Sequence, residues 1–85
     1  MEKNNLLLII EEFEIRILRN RILSKKLKRD IEVLSNFYQI KKNSNIAPHI
    51  QTAIKKKELM HFDAKAIISE MQQNQFYYQQ LLKKN

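Results

Sequence analysis

Apolar residues recur at alternating steps of three and four along the first forty positions of the chain. The stripe they form, which includes two small polar residues, consists of Leu6, Ile10, Phe13, Ile17, Asn20, Ser24, Leu27, Ile31, Leu34 and Tyr38. This spacing brings side chains onto one side of an α-helix, and no proline or glycine interrupts residues 4–40. The pattern predicts a long N-terminal helix over about residues 4–40.

The helical period is lost at residues 41–45, where the sequence Lys-Lys-Asn-Ser-Asn favours a turn. Pro48 follows closely, and proline suits the first turn of a helix because its missing N–H would have no partner there. Apolar residues resume at helical spacing from Ile46 onward. A second helix is therefore expected over about residues 47–60.

Phe62 and Asp63 resemble the start of another helix, with Asp63 as the N-cap and the preceding aromatic ring packing on the first turn. A third helix is expected over about residues 63–83, and a single unbroken helix over residues 47–83 is the alternative. The stripe of the third helix consists of Ala64, Ile68, Met71, Gln75, Tyr78 and Leu82. The chain is thus predicted to be one all-α domain spanning residues 1–85.

Helix one carries a second apolar stripe on the side opposite the first, when successive residues are placed about 100° apart. Its members are Leu8, Ile15, Leu18, Ile22, Val33, Phe37 and Ile40. A helix that is apolar on two opposed sides needs cover on both, and the rest of this short chain covers only one. We therefore predict that these seven residues form an interface with another protein chain.

The length of helix one supports the same expectation. At about 1.5 Å per residue it would measure about 55 Å, whereas a compact chain of this size has a radius of gyration of about 12 Å. The helix either breaks near Asn20–Ser24, giving a four-helix bundle within one chain, or it stays whole. We favour the whole helix, in a helical hairpin or bundle completed by oligomerisation or by a partner.

Polar residues stand on the apolar stripes at three positions. Asn20 and Ser24 interrupt the first stripe, and Gln75 holds the corresponding place in the third helix. In coiled coils a buried polar side chain fixes register and partner number, because mispairing leaves it without hydrogen bonds. The alternative is that the stripe reaches solvent at these positions, and both interpretations stay open.

The composition excludes several classes of chemistry. The chain has no glycine and no cysteine, which excludes glycine-rich phosphate loops, disulfides and thiolate metal sites. Without cysteine, the cytoplasm is the default location. The longest apolar run, Leu6–Ile10, has five residues, whereas a membrane span needs about 20, so no membrane partner is expected.

The charge of the chain favours an anionic partner. The formal net charge is +7, and residues 16–29 contain seven basic residues and no acidic one. The candidate phosphate contacts on DNA or RNA in this segment are Arg19, Lys25, Lys26 and Arg29. Because no recognised nucleic-acid-binding motif accompanies them, a solvated or protein-facing surface is favoured over this alternative.

The order of the charges predicts how two copies would pair. Residues 1–15 contain four acidic residues and one basic residue, and the basic segment 16–29 follows directly. Antiparallel pairing of two copies of helix one sets the acidic segment of one beside the basic segment of the other, whereas parallel pairing sets like charges together. We predict a homodimer with helix one antiparallel to its mate, or incorporation into a larger assembly.

No constellation of residues indicates catalysis, a cofactor or a metal. His49 and His61 lie 12 residues apart, too far to be a pair of metal ligands on one helix turn. Di-iron bundles need two Glu–His pairs at a spacing of three residues, and this chain has only one, Glu58 with His61. The aromatic residues 76–78 point about 100° apart on a helix, so they form no flat stacking platform. The predicted function is a small, non-enzymatic interaction or assembly subunit, and the alternative is a small basic nucleic-acid-binding protein.

Overall fold

The computed structural model describes residues 2–84, which form two long helices, α1 (Lys3–Lys41) and α2 (Ala47–Lys84). The helices pack side by side in opposite directions and form a rod whose Cα extents are 63 × 14 × 13 Å. The radius of gyration is 18.9 Å, well above the value of about 12 Å for a compact chain. The all-α prediction is confirmed, and the arrangement within one chain is a hairpin rather than a bundle.

Helix α1 confirms the predicted N-terminal helix almost to the residue. It does not break near Asn20–Ser24, so a four-helix bundle within one chain is excluded. The amide of Asn20 donates a hydrogen bond to the carbonyl oxygen of Arg16 in the preceding turn, at 2.9 Å. This polar side chain is therefore satisfied by its own helix and gives the backbone no reason to depart from it.

The prediction of three helices is wrong, because the expected helices 47–60 and 63–83 are one continuous helix. Asp63 lies in the helix interior, where it costs under about 1 kcal/mol relative to alanine. Phe62 is 71% exposed and does not staple a new helix start. Ala64 is buried directly after them, so packing continues across the expected break and holds α2 straight. The unbroken alternative was correct.

The predicted loop is confirmed, and it joins the helices through a short turn over residues 42–46. The backbone N–H and the hydroxyl of Ser44 both donate to the carbonyl oxygen of Lys41, at 2.9 and 2.7 Å. These bonds satisfy a carbonyl that the end of a helix leaves without a partner. Pro48 lies in the first turn of α2, as its chemistry predicts.

The two helices meet along a seam with a seven-residue repeat. Every residue of the first stripe is buried or half-buried, as predicted. The matching stripe of α2 continues through the expected break and consists of Ala47, Ile50, Ile54, Lys57, His61, Ala64, Ile68, Met71, Gln75, Tyr78 and Leu82. Alternating steps of three and four are the pattern of coiled-coil packing.

Two specific contacts join α1 to α2, one near each end of the rod. Near the turn, the amide of Gln51 donates a hydrogen bond to the hydroxyl oxygen of Tyr38 at 2.8 Å. Near the opposite end, the rings of Phe13 and Tyr78 pack at a centroid distance of 5.6 Å with their planes tilted by 32°. Both pairs join α1 to α2, and they fix which residues of the two helices lie at the same height along the rod.

Candidate interaction surfaces

An aspartate links the two helices in the half of the rod nearer the turn. Asp30 on α1 accepts hydrogen bonds from the ammonium groups of Lys26, at 2.9 Å, and of Lys57 on α2, at 3.1 Å. The side chains of Asp30 and Lys57 are only 28% and 32% exposed. The hydrogen bond from Lys26, and then that from Lys57, lower the pKa of Asp30, while partial burial opposes them. The charged carboxylate therefore makes stronger hydrogen bonds to the two lysines than the neutral acid would. Because Lys57 lies on α2, its bond to Asp30 helps to fix the register of α1 against α2.

Because its pKa is lowered in the folded chain, Asp30 stabilises the hairpin above the ordinary pKa of about 3.9. That contribution is lost as the pH falls through the lower folded-state pKa. We expect Asp30→Asn to melt at a lower temperature than the unmodified chain at pH 7, and the difference to shrink below about pH 4. Thermal melting followed by circular dichroism from pH 7 to pH 2 measures this. A difference that is constant over that range would contradict the role given to Asp30.

On one side of the seam, both helices present apolar residues next to the core. Six residues line a shallow groove there: Asn20, Leu23, Met60, Asp63, Ala64 and Ile67. Leu23, Met60 and Ile67 are exposed, so the apolar surface of the core continues outward on this side. We call this surface the Leu23 face.

Charged residues frame the Leu23 face in a symmetrical way. On α1, Arg19 lies four residues before Leu23 and Lys26 three residues after it. On α2, Asp63 and Glu70 stand at the same offsets from Ile67. Residues three and four apart are neighbours on a helix surface. One edge of the Leu23 face is therefore basic and the other acidic.

The opposite side of the seam contains a basic groove. This groove is lined by Leu18, Arg21, Ile22, Ser24, Lys25, Lys65 and Ile68. Three cations border an apolar floor and no acidic residue lines this groove. Among residues 2–84, Arg21, Lys25 and Lys65 make no ion pair. We call this surface the basic groove.

The structure divides the predicted interface stripe between these two sides. Leu18 and Ile22 line the basic groove, and Leu8 and Ile15 lie at seven-residue steps from Ile22 on the outer surface of α1. Val33 instead lines a groove with Arg29, Asp30, Leu34 and Lys57. Phe37 and Ile40 lie at seven-residue multiples from Leu23 and Val33, on that same side. All seven predicted residues are exposed, and they do not form one continuous face.

The candidate phosphate contacts are likewise exposed but dispersed. Lys25 lines the basic groove, Arg29 lines the groove of Val33, and Lys26 is bound to Asp30. Arg21 and Lys65 were not among the predicted phosphate contacts, and the structure brings them together with Lys25. Lys65 lies on the other helix, so only the packing of α1 on α2 places it there.

The polar residues of the stripes and the aromatic residues 76–78 have the following places in the structure. Asn20, Ser24 and Gln75 are half-buried in the seam, and Lys57 and His61 are two further polar seam residues that the predicted helix break concealed. The rings of residues 76–78 point in different directions, and only Tyr78 packs into the seam.

Within residues 2–84, no three His, Cys, Asp or Glu side chains gather as a metal site. Neither helix, over that range, has a stretch apolar enough to cross a membrane.

No protein-family model matches this chain, and neither a curated protein nor a solved structure shows significant similarity to it.

Proposed function

We propose that the chain is a non-enzymatic assembly subunit, which functions as a hairpin packed against further helices of a second copy or of a larger complex. The observation that supports this proposal is the exposed apolar surface. Seven apolar residues are buried in the core, whereas sixteen large apolar side chains among residues 2–84 are exposed. A two-helix rod has only one covered side, and on the Leu23 face the exposed Leu23, Met60 and Ile67 line one groove. A contiguous apolar patch of this kind is typical of interaction sites.

The total surface area supports the same proposal. The accessible surface is 6810 Å², whereas a compact monomer of this mass exposes roughly 5,400 Å². The excess of roughly 1,400 Å² exceeds the roughly 800 Å² that each partner buries in a standard protein interface. Pairing two hairpins through one side would therefore bring the accessible surface of each chain closer to that of a compact protein.

Self-association is tested by analytical ultracentrifugation. We expect the chain at about 10 µM to sediment with at least twice the monomer mass, and its melting temperature to rise with concentration, because binding to the folded state stabilises it. A lysozyme sample of known monomer mass serves as the calibration control. A single monomeric species that melts at the same temperature over a hundred-fold concentration range would refute self-association.

The orientation predicted from helix one alone is an antiparallel homodimer, and it stays a prediction. It assumed that α1 of one copy lies against α1 of the other. In the folded hairpin, α2 is a second neighbour that α1 could meet, and it carries acidic residues on the Leu23 face.

The basic groove supports the second candidate function, binding to the phosphates of a nucleic acid. Arg21, Lys25 and Lys65 come from both helices and have no acidic partner among residues 2–84. Cations of this kind neutralise phosphates and release the counterions condensed on a nucleic acid, which is the usual source of sequence-independent affinity. The two functions are compatible, because the basic groove and the Leu23 face lie on opposite sides of the seam.

A further inference from the structure

The two edges of the Leu23 face carry opposite charges at the same height along the rod. The hydrogen bond between Tyr38 and Gln51 places these two residues at the same height along the rod, and it serves as the reference for the other residues. Counting equal numbers of residues away from that bond on the two helices sets Lys26 level with Asp63, and Arg19 level with Glu70. Leu23 and Ile67, which line one groove, lie between these levels.

We infer that a second copy of this chain packs on the Leu23 face with the two hairpins parallel, so that α1 of each copy lies against α2 of the other. This inference rests on the proposed self-association. A rotation of 180° about an axis parallel to the rod generates the second copy. This rotation places the basic edge of each copy opposite the acidic edge of the other, and it leaves the position of every residue along the rod unchanged. It therefore brings Leu23 onto the partner subunit's Ile67, Arg19 onto the partner subunit's Glu70, and Lys26 onto the partner subunit's Asp63. Each contact occurs twice in such a symmetric interface.

Pairing α1 with α1 on this face gives a poorer match. An antiparallel pair centred on Leu23 sets Arg19 against the partner subunit's Lys26, and Asp63 against the partner subunit's Glu70. Like charges then meet on both edges of the face. Exposed ion pairs contribute only about 0 to 1 kcal/mol each, so the apolar contact provides the affinity and the charges choose the orientation. The charges of helix one alone favour the antiparallel pair, and the acidic residues of α2 reverse that preference on the Leu23 face.

The basic groove is a worse surface for a second copy. The same rotation on that side would set Lys25 of one copy close to the partner subunit's Lys65, with no acidic residue lining the groove. Self-association through the Leu23 face leaves this groove open for an anionic partner.

Charge reversal tests the pairing. Arg19 and Glu70 make no ion pair among residues 2–84, so changing them removes no ion pair within the hairpin. We expect Arg19→Glu or Glu70→Arg alone to weaken self-association about ten-fold, because each sets two like-charge pairs across the interface. The double variant Arg19→Glu/Glu70→Arg should recover the original affinity, and so should an equimolar mixture of the two single variants.

The control is Arg21→Glu, which changes the net charge as Arg19→Glu does but lies in the basic groove. It should leave association within about two-fold of the original, or strengthen it by lowering the net charge. Weakening by Arg19→Glu therefore cannot come from net charge. Single variants that associate normally, or a double variant that fails to recover, would overturn the inference while leaving self-association standing.

Spin labels measure the orientation directly, since the chain has no native cysteine. Labels are attached at Glu11→Cys and Lys25→Cys, which are exposed and lie outside the Leu23 face, and pairwise distances are measured in the 11–11 homodimer and in a mixed 11–25 sample. Parallel hairpins make the 11–11 distance the shorter one, because positions 11 and 25 differ by about 21 Å in height. A shorter 11–25 distance would support the antiparallel prediction and overturn this inference. A chain that sediments only as a monomer would refute both the inference and the proposed self-association.

Discussion

Replacing Leu27 by alanine should lower the free energy of unfolding by about 2–5 kcal/mol. Leu27 is 2% exposed at the centre of a core that contains only seven buried apolar residues. The change removes buried methyl groups and leaves a cavity that two rigid helices cannot close. A small helical protein of this size is marginally stable, so this single cavity costs a large share of its total stability.

The measurement is thermal melting by circular dichroism at two protein concentrations, which separates folding from association. A melting temperature at least about 8 °C lower is expected for a loss of this size. Leu59→Ala is the matched control, because it removes the same atoms from a side chain that is 67% exposed on α2. Its effect should stay within about 0.5 kcal/mol. Equal effects of the two variants would mean that Leu27 is not in the core.

Binding to generic double-stranded DNA, if the basic groove carries it, should weaken steeply as salt is raised. Each phosphate that is neutralised contributes about −0.9 to the slope of log affinity against log salt concentration. Arg21→Gln together with Lys25→Gln should make the slope shallower by about two units and lower the affinity at least about ten-fold at low salt.

Fluorescence anisotropy with a labelled duplex at several salt concentrations measures this slope. Lys55→Gln together with Lys56→Gln is the matched control, since it removes the same charge from an exposed part of α2 outside the groove. An equal loss in the control would assign binding to net charge rather than to the groove. No binding at low salt would remove nucleic acid as a partner and leave the assembly function alone.

The sequence by itself determined the all-α fold, the extent of α1, the turn, and the buried sides of α1 and of the second half of α2. The stripe from Leu6 to Tyr38 depends only on spacing within one helix, and every member of it is buried or half-buried. The turn at residues 42–46 follows from residues that disfavour helix continuation. Exposure of the second stripe also followed from periodicity, because a hairpin has one seam and covers one side of each helix.

Only the tertiary structure decided that α2 is continuous and which residues of the two helices face one another. Asp63 has a mild preference against helix interiors, and the packing of Ala64 beside it outweighs that preference. The link from Asp30 to Lys57, the cations of the basic groove and the opposite charges around Leu23 and Ile67 all depend on the height of α2 relative to α1. The seven-residue repeat alone would match equally well after a shift by one heptad. The short turn over residues 42–46 limits such a shift, but it does not determine which side chains meet across the seam. Side-chain contacts across the seam select one register, and that register sorts the charges into two different faces.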